Sequence, residues 1–168
     1  MIRALVVRAL LVAFLLGGYV YVWRPYGRTA AVHSVAVPFL RSVTEASPGG
    51  WTVRPRPGGR RLTLLADSDN LSFGWTAPAG VRFLLPAVGL ALVAPRRLYW
   101  LLLWGGHVAL GALGIGLLGL GATTGSAWFV LYDALTRYLV DAFSLGVAAW
   151  AVAVEFDLGP PVSDAEAG

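Results

Sequence analysis

Four apolar runs constrain this chain more than any other feature of its sequence. They cover Ala4–Val22, Ala79–Ala94, Leu98–Gly121 and Ser126–Val154. About 20 apolar residues cross a bilayer as a helix, and the second run is short for this, about 24 Å. Only 13% of the residues are charged and the mean hydropathy is +0.69. We therefore predict an all-α polytopic membrane protein with four transmembrane helices.

The first run predicts an uncleaved signal anchor over residues 1–23. Arg3 and Arg8 stand at its start, as in secretory signal peptides. Its end is an aromatic belt of Tyr19, Tyr21, Trp23 and Tyr26, without a small-x-small cleavage site. Such belts lie at membrane–water interfaces, which favours an anchor over a cleaved signal peptide.

Residues 24–78 predict a small extracytoplasmic insertion between the first and second transmembrane helices. Thr29–Ser47 has apolar residues at helical spacing with Pro38 inside it, which indicates a kinked amphipathic helix on the membrane surface. Three β-like runs follow, and turn-forming residues at 57–59 and 67–70 separate them. The runs are Trp51–Arg56, Arg61–Ala66 and Leu71–Thr76. They predict a β-meander that needs the helix or the membrane against it to be stable.

The arginines also predict the orientation. Arg3 and Arg8 share a side of the membrane with Arg96 and Arg97 if all four runs cross, and the loop 122–125 on the other side is uncharged. The positive-inside rule then predicts a multi-pass protein of the cytoplasmic (inner) membrane with both termini cytoplasmic. The seven arginines of residues 24–78 argue against this, although long loops follow the rule weakly. Residues 79–154 would be a three-helix membrane region, and 155–168 a disordered cytoplasmic tail.

The last run carries an acid–base–acid ladder of Asp133, Arg137 and Asp141 at four-residue spacing. Each charge in hydrocarbon costs about 2.5–3.5 kcal/mol or more, so the three must face partners. Matched by depth, Arg82 is expected to pair with Asp133, and His107 to lie level with Arg137 and Asp141. These five residues form a predicted intramembrane polar cluster. Alternatively the fourth span begins near Tyr138 instead of near Ser126, which leaves Asp133 and Arg137 in water.

Three functions compete for this cluster. It could be an ion-pair lock that fixes helix register or recruits a partner, a proton or solute pathway, or a catalytic centre. The chain has no Cys and no metal-binding or nucleophile motif, so we predict a non-enzymatic protein without metal or cofactor. A non-enzymatic accessory subunit is the preferred hypothesis, and a small transport component is the alternative.

Two further patterns indicate partners. Small residues of the third run form a stripe at alternating four- and three-residue steps: Gly105, Ala109, Ala112, Gly116 and Gly119. Such stripes let helices approach closely, either within the chain, with another membrane protein or in a homo-oligomer. A basic patch of Arg54, Arg56, Arg60 and Arg61 surrounds the first predicted turn. It fits lipid head groups, an acidic partner segment or a solvated turn, and lipid explains the net charge of +4 better than nucleic acid does.

Several stretches also resemble a known group of proteins. They are residues 79–86, Gly106-His107, Tyr132-Asp133 and residues 138–145, which together resemble small membrane proteins associated with exosortase and archaeosortase systems over about half the chain. The resemblance implies an accessory subunit in protein sorting or surface polysaccharide export. Exosortases themselves use a Cys nucleophile, so this Cys-free chain is not expected to be such a transpeptidase.

Overall fold

The first helix, α1, runs from Arg3 to Glu45 without a break in this computed structural model, which describes residues 2–47, 49–67, 71–93 and 96–156. We had expected a membrane span and a separate surface helix. Instead, wide π-helical segments at Gly18–Gly27 and Val32–Ala36 connect the α-helical parts. Pro25 lies in the first segment and Pro38 follows the second. In a π segment the hydrogen bonds join residues five apart instead of four. The helix can therefore continue past a proline, which has no N–H to donate.

The predicted three-stranded meander is confirmed. Its strands are β1 (Trp51–Pro55), β2 (Arg61–Ala66) and β3 (Ser72–Thr76), antiparallel in the order β1-β2-β3. Val53 pairs with Leu64, and Leu62 pairs with Trp75. These four side chains are buried, because successive residues of a strand point to opposite faces and the apolar face packs on helices.

Three more helices follow the sheet: α2 (Val81–Val93), α3 (Arg97–Thr124) and α4 (Ala127–Glu155). A π-helical segment, Leu135–Leu139, lies inside α4. Three helices, α1, α3 and α4, are long and apolar enough to cross a membrane, and α2 is a shorter apolar helix. The predicted tail falls mostly outside the described residues, as do residues 68–70 of the second predicted turn and residues 94–95 before α3.

The molecule has two layers that share the long helices. The sheet layer consists of the sheet and the helix segments it packs on, residues 28–45, 111–124 and 127–139. Its core joins Leu40 of α1, Leu62 and Leu64 of β2, Leu118 of α3 and Phe129 of α4. Phe129 also stacks on Phe73 of β3 with ring centroids 4.0 Å apart.

The second layer is a helix bundle of residues 3–27, α2, residues 97–110 and residues 140–155. Phe83, Leu90, Leu103 and Val147 lie in its core. Its outer surface is apolar, and the large side chains that are at least 64% exposed there include Leu5, Leu10, Phe14, Leu85, Leu101 and Leu145. An apolar surface of this extent is typical of a protein that faces lipid.

Candidate functional site

The ladder of α4 divides into two separate ion pairs. Arg137 Nε lies 3.0 Å from the carboxylate of Asp133, one helical turn earlier. Both side chains are more than half exposed and lie in the sheet layer. Arg137 therefore belongs with Asp133, and the stacked acid–base–acid ladder does not form as a unit.

Asp141 instead binds Arg82 across two helices. Arg82 Nη1 lies 2.7 Å from Asp141 Oδ2 and joins the start of α2 to α4. The expected pairing of Arg82 with Asp133 is wrong, because α2 begins level with residue 141 of α4 and not level with residue 133. The two side chains are 66% and 39% exposed, so the pair is a charge-assisted contact at the surface of the described molecule.

His107 is buried and has hydrogen-bond partners on both ring nitrogens. Nδ1 lies 2.7 Å from the Leu103 carbonyl, and Nε2 lies 3.0 Å from Ser144 Oγ on α4. With a neutral ring, Nδ1–H donates to Leu103, and Nε2 competes with the Val140 carbonyl, 2.7 Å from Ser144 Oγ, for the one proton of the Ser144 hydroxyl. The edges of Phe83 and Phe143 meet the ring. His107 thus connects α3 to α4, and it does so without a bonded carboxylate among the described residues.

A cavity of about 410 Å³ lies where the two layers meet. We call it the arginine cavity, because Arg28, Arg61 and Arg82 line it from α1, β2 and α2. Its other walls include Trp75 of β3 and His107 of α3. The backbone at its rim is strained, since Ala79 has a φ of +53°, a conformation that residues with a side chain rarely adopt.

Two hydrogen bonds and one close contact fix the sheet beside this cavity. Tyr132 of α4 donates to the Gly74 carbonyl at 2.7 Å, and Trp75 Nε1 donates to the Gly111 carbonyl at 3.2 Å. A Cβ at Gly111 would lie 3.0 Å from Pro78, so glycine lets the loop before α2 approach α3 closely. Strand β3 is thereby attached to both long helices.

Sequence reasoning did not find Arg28. Nothing in the sequence around Arg28 distinguishes it from the other arginines of residues 24–78, yet Arg28 is buried and only 7% exposed. Burial of Arg28 depends on the hairpin turn packing against α1, where Gly59 lies close to Thr29 and His33. Arg60 follows Pro57, Gly58 and Gly59, and these residues predict a turn. They do not predict which face of a helix the turn covers.

The predicted basic patch is also divided by the fold. Arg61 lines the arginine cavity, and Arg60 lines a second pocket of about 350 Å³ with Arg24. Arg56 donates to Thr63 Oγ1 at 3.1 Å within the sheet, and Arg54 is exposed. Arg60 and Arg61 therefore face α1, whereas Arg54 and Arg56 do not line either pocket.

The small-residue stripe of α3 lies on the side away from the arginine cavity. Gly105, Ala109 and Ala112 are exposed, and no described atom lies within 4 Å of a Cβ placed at Gly105 or Gly116. Gly119 is the exception, since it packs against Phe39 of α1. Helix contacts inside the chain use other glycines of α3, among them Gly106 against Phe143 and Gly121 against Phe129.

No family model, no curated protein and no solved structure matches this chain.

Proposed function

We propose that this chain is a non-enzymatic accessory subunit of the cytoplasmic membrane that binds a transmembrane helix of another membrane protein. The docking surface is the open part of the stripe on α3: Gly105, Ala109, Ala112 and Gly116. The open space over this surface is the observation that carries the proposal. Other glycines of α3, such as Gly106 and Gly121, pack closely against side chains of this chain.

The surface has the shape that a helix needs. Leu101 and Val108 flank the small residues on one side, and Leu113 and Leu120 flank them on the other; all four are at least 42% exposed. The small residues therefore form the floor of a shallow groove between two apolar ridges. Helices in lipid associate through such close packing, because lipid tails remove the hydrophobic drive that operates in water.

The proposed topology has four spans, with α2 as a short span and both termini in the cytoplasm. The contacts that support it join the ends of the bundle. Arg96 Nε, before α3, lies 2.8 Å from Glu155 Oε1 at the end of α4 and forms an ion pair with it. Trp23 of α1 donates to the Ala79 carbonyl before α2 at the opposite end. Successive helices thus run in alternating directions.

In this proposal the Arg82–Asp141 pair is a lock that holds α2 against α4. A transport role for the polar cluster has less support, because Asp133 and Arg137 satisfy each other on the outside of α4. His107 is likewise bonded on both nitrogens. Proton relays in membranes connect histidine and carboxylate groups, and among the described residues no carboxylate is hydrogen-bonded to His107. The resemblance to exosortase-associated proteins makes a component of a sorting or polysaccharide-export system the first partner to test.

The absence of Cys from the sequence allows a direct test by cross-linking. An Ala109→Cys variant, labelled with a photo-activated cross-linker in native membranes, is expected to form an adduct with one other membrane protein. Gly146→Cys is the matched control, because Gly146 is an exposed glycine of α4 with open space around it. Adding Gly105→Leu to the Ala109→Cys chain should abolish the adduct by filling the groove, without unfolding the chain.

Two outcomes contradict the proposal. Equal adducts from Ala109→Cys and Gly146→Cys would show that the surface meets neighbours only by chance. Adducts made only between copies of this chain would assign the stripe to a homo-oligomer, and the partner proposed here would be wrong. Proteoliposomes containing the purified chain provide the separate test for transport, with solute or proton flux abolished by His107→Ala as the result that would favour it.

A further inference from the structure

We propose that the arginine cavity binds the phosphate group of a lipid, with a phosphate monoester as the chemical class it fits best. The proposal does not depend on the docking surface, which lies on the opposite side of α3. It rests on an unpartnered buried guanidinium, a helix N-terminus and an excess of positive charge at one place.

The first observation is the unpartnered donor. Arg28 lines the cavity and is only 7% exposed. Its Nε has no hydrogen-bond partner among the described residues. The hydroxyl of Tyr19, which is close enough to affect Arg28 electrostatically, is also buried without a described partner. Leaving a buried charged group unsatisfied costs more than leaving a neutral one unsatisfied, so a bound acceptor would remove this penalty.

The second observation is the N-terminus of α2. Gly80, Val81 and Arg82 line the cavity, so the first residues of this 13-residue helix lie at its wall, and of the first turn the Phe83 N–H already donates to the Gly80 carbonyl at 3.0 Å. Helix N-termini favour anions through their unpaired N–H groups and through the helix dipole. Arg28 points to the same place, since its Nη2 would lie 3.8 Å from a Cβ at Gly80.

The third observation is the charge balance. Arg24, Arg60 and Arg61 all act electrostatically on Arg28, and each has the same sign. Asp141 is the one carboxylate that forms an ion pair with a cavity arginine in the described part of the chain, and it neutralises Arg82. The cavity itself thus keeps two uncompensated guanidinium groups, Arg28 and Arg61. A phosphate monoester carries a charge of about −1.5 to −2 at pH 7, which matches this excess.

The remaining walls explain why a lipid is favoured over a small soluble anion. Phe83, Leu110, Leu135 and Val140 give the cavity an apolar part beside its arginines. Val81 at the rim is 67% exposed, so the cavity opens beside α2 on the surface that carries the apolar side chains. A lipid can place its phosphate against the arginines and its chain along this apolar side, whereas free phosphate uses only the polar wall.

The test uses the full chain purified in a neutral detergent and native mass spectrometry to count bound lipids. Phosphatidic acid and phosphatidylcholine with identical acyl chains are the probes, and inorganic phosphate is added in a separate thermal-stability arm. Wild type is expected to retain phosphatidic acid preferentially. Arg28→Gln should weaken this retention about 10- to 100-fold, since a charge-assisted contact is lost.

A second variant keeps every charge. Gly80→Leu places a side chain into the cavity beside Arg28 and should also abolish retention, and it decides the matter if Arg28→Gln does not fold. The matched controls are Arg54→Gln, an exposed arginine that does not line the cavity, and Gly146→Leu, an open glycine of α4. Both should bind as wild type does.

The arms give distinct outcomes. Retention of phosphatidic acid that only the cavity variants lose supports the lipid site. Stabilisation by inorganic phosphate that equals the effect of phosphatidic acid, and that Arg28→Gln abolishes, supports the phosphate site but assigns it to a soluble anion. Equal retention of the two lipids, or equal losses in Arg54→Gln and Arg28→Gln, would overturn the proposal, because binding would then reflect general attraction to a basic chain.

Discussion

Tyr132→Phe tests how the sheet is attached to the long helices. The substitution removes the phenol hydroxyl that donates to the Gly74 carbonyl at 2.7 Å and leaves the ring in place. Strand β3 is at the edge of the sheet and pairs only with β2. Its other hydrogen bond to a helix, among the described residues, is the one from Trp75 Nε1 to the Gly111 carbonyl. The loss of one of these two hydrogen bonds should therefore be measurable in this strand.

The structure decides which magnitude to expect. An acceptor that is left buried and unsatisfied costs about 1–3 kcal/mol, whereas a lost bond whose acceptor reaches water costs about 0.5–1.5 kcal/mol. Gly74 lines the arginine cavity and is exposed, so water can replace the Tyr132 hydroxyl at the Gly74 carbonyl. We therefore expect the smaller cost, which corresponds to about 2- to 13-fold faster opening of the strand.

Amide hydrogen exchange of a peptide covering Ser72–Thr76, followed by mass spectrometry in detergent, measures this opening. Tyr138→Phe is the matched control, because Tyr138 is a tyrosine of the same helix that is 69% exposed. The reasoning fails if Tyr132→Phe accelerates exchange no more than Tyr138→Phe does. An acceleration above about 100-fold would also refute it, since it would mean that water does not reach the Gly74 carbonyl.

Two further predictions concern thermal unfolding of the purified chain in detergent. Arg137→Ala should cost no more than about 0.5 kcal/mol, as exposed i,i+4 pairs do, and Arg82→Ala should cost about 0.2–1 kcal/mol, because the Arg82 and Asp141 side chains are 66% and 39% exposed. Combined with Asp141→Ala, Arg82→Ala should be non-additive and Arg137→Ala additive, and coupling of Asp141 to Arg137 instead would contradict the division of the ladder. Gly106→Leu should destabilise the chain by about 1–3 kcal/mol or more, because a Cβ there would overlap the Phe143 ring. Gly105→Leu should change stability by less than about 0.5 kcal/mol, and a melting temperature as low as that of Gly106→Leu would show that its surroundings are not open.

Local patterns in the sequence were sufficient for the strands. Alternating residues such as Leu62 and Leu64, with glycine-rich turns beside them, predict both the strand and its buried face, and the observed bounds differ from the predicted ones by a residue at most. Proline was a poorer guide. Pro38 predicted a kink in a separate surface helix, but α1 continues through it beside a local π-helical segment, which sequence patterns do not reveal.

The candidate site was less predictable, because it depends on how helices align. The spacing of Asp133, Arg137 and Asp141 gives their common stripe, but the level at which α2 starts decides that Arg82 reaches Asp141. A shift of α2 by two turns would have produced the expected pairing with Asp133. Burial of Arg28 has the same origin, since it follows from where the hairpin rests on α1.

The uninterrupted first helix connects the helix bundle to the sheet layer. Residues 24–45, the part beyond the aromatic belt, extend about 33 Å at 1.5 Å per residue. Because transmembrane helices tilt to match the thickness of the bilayer, a change of about 5° in the tilt of α1 moves Glu45 sideways by about 3 Å. Residues 28–45 pack directly on the sheet, so in the proposed topology a change in bilayer thickness would move the sheet together with the end of α1.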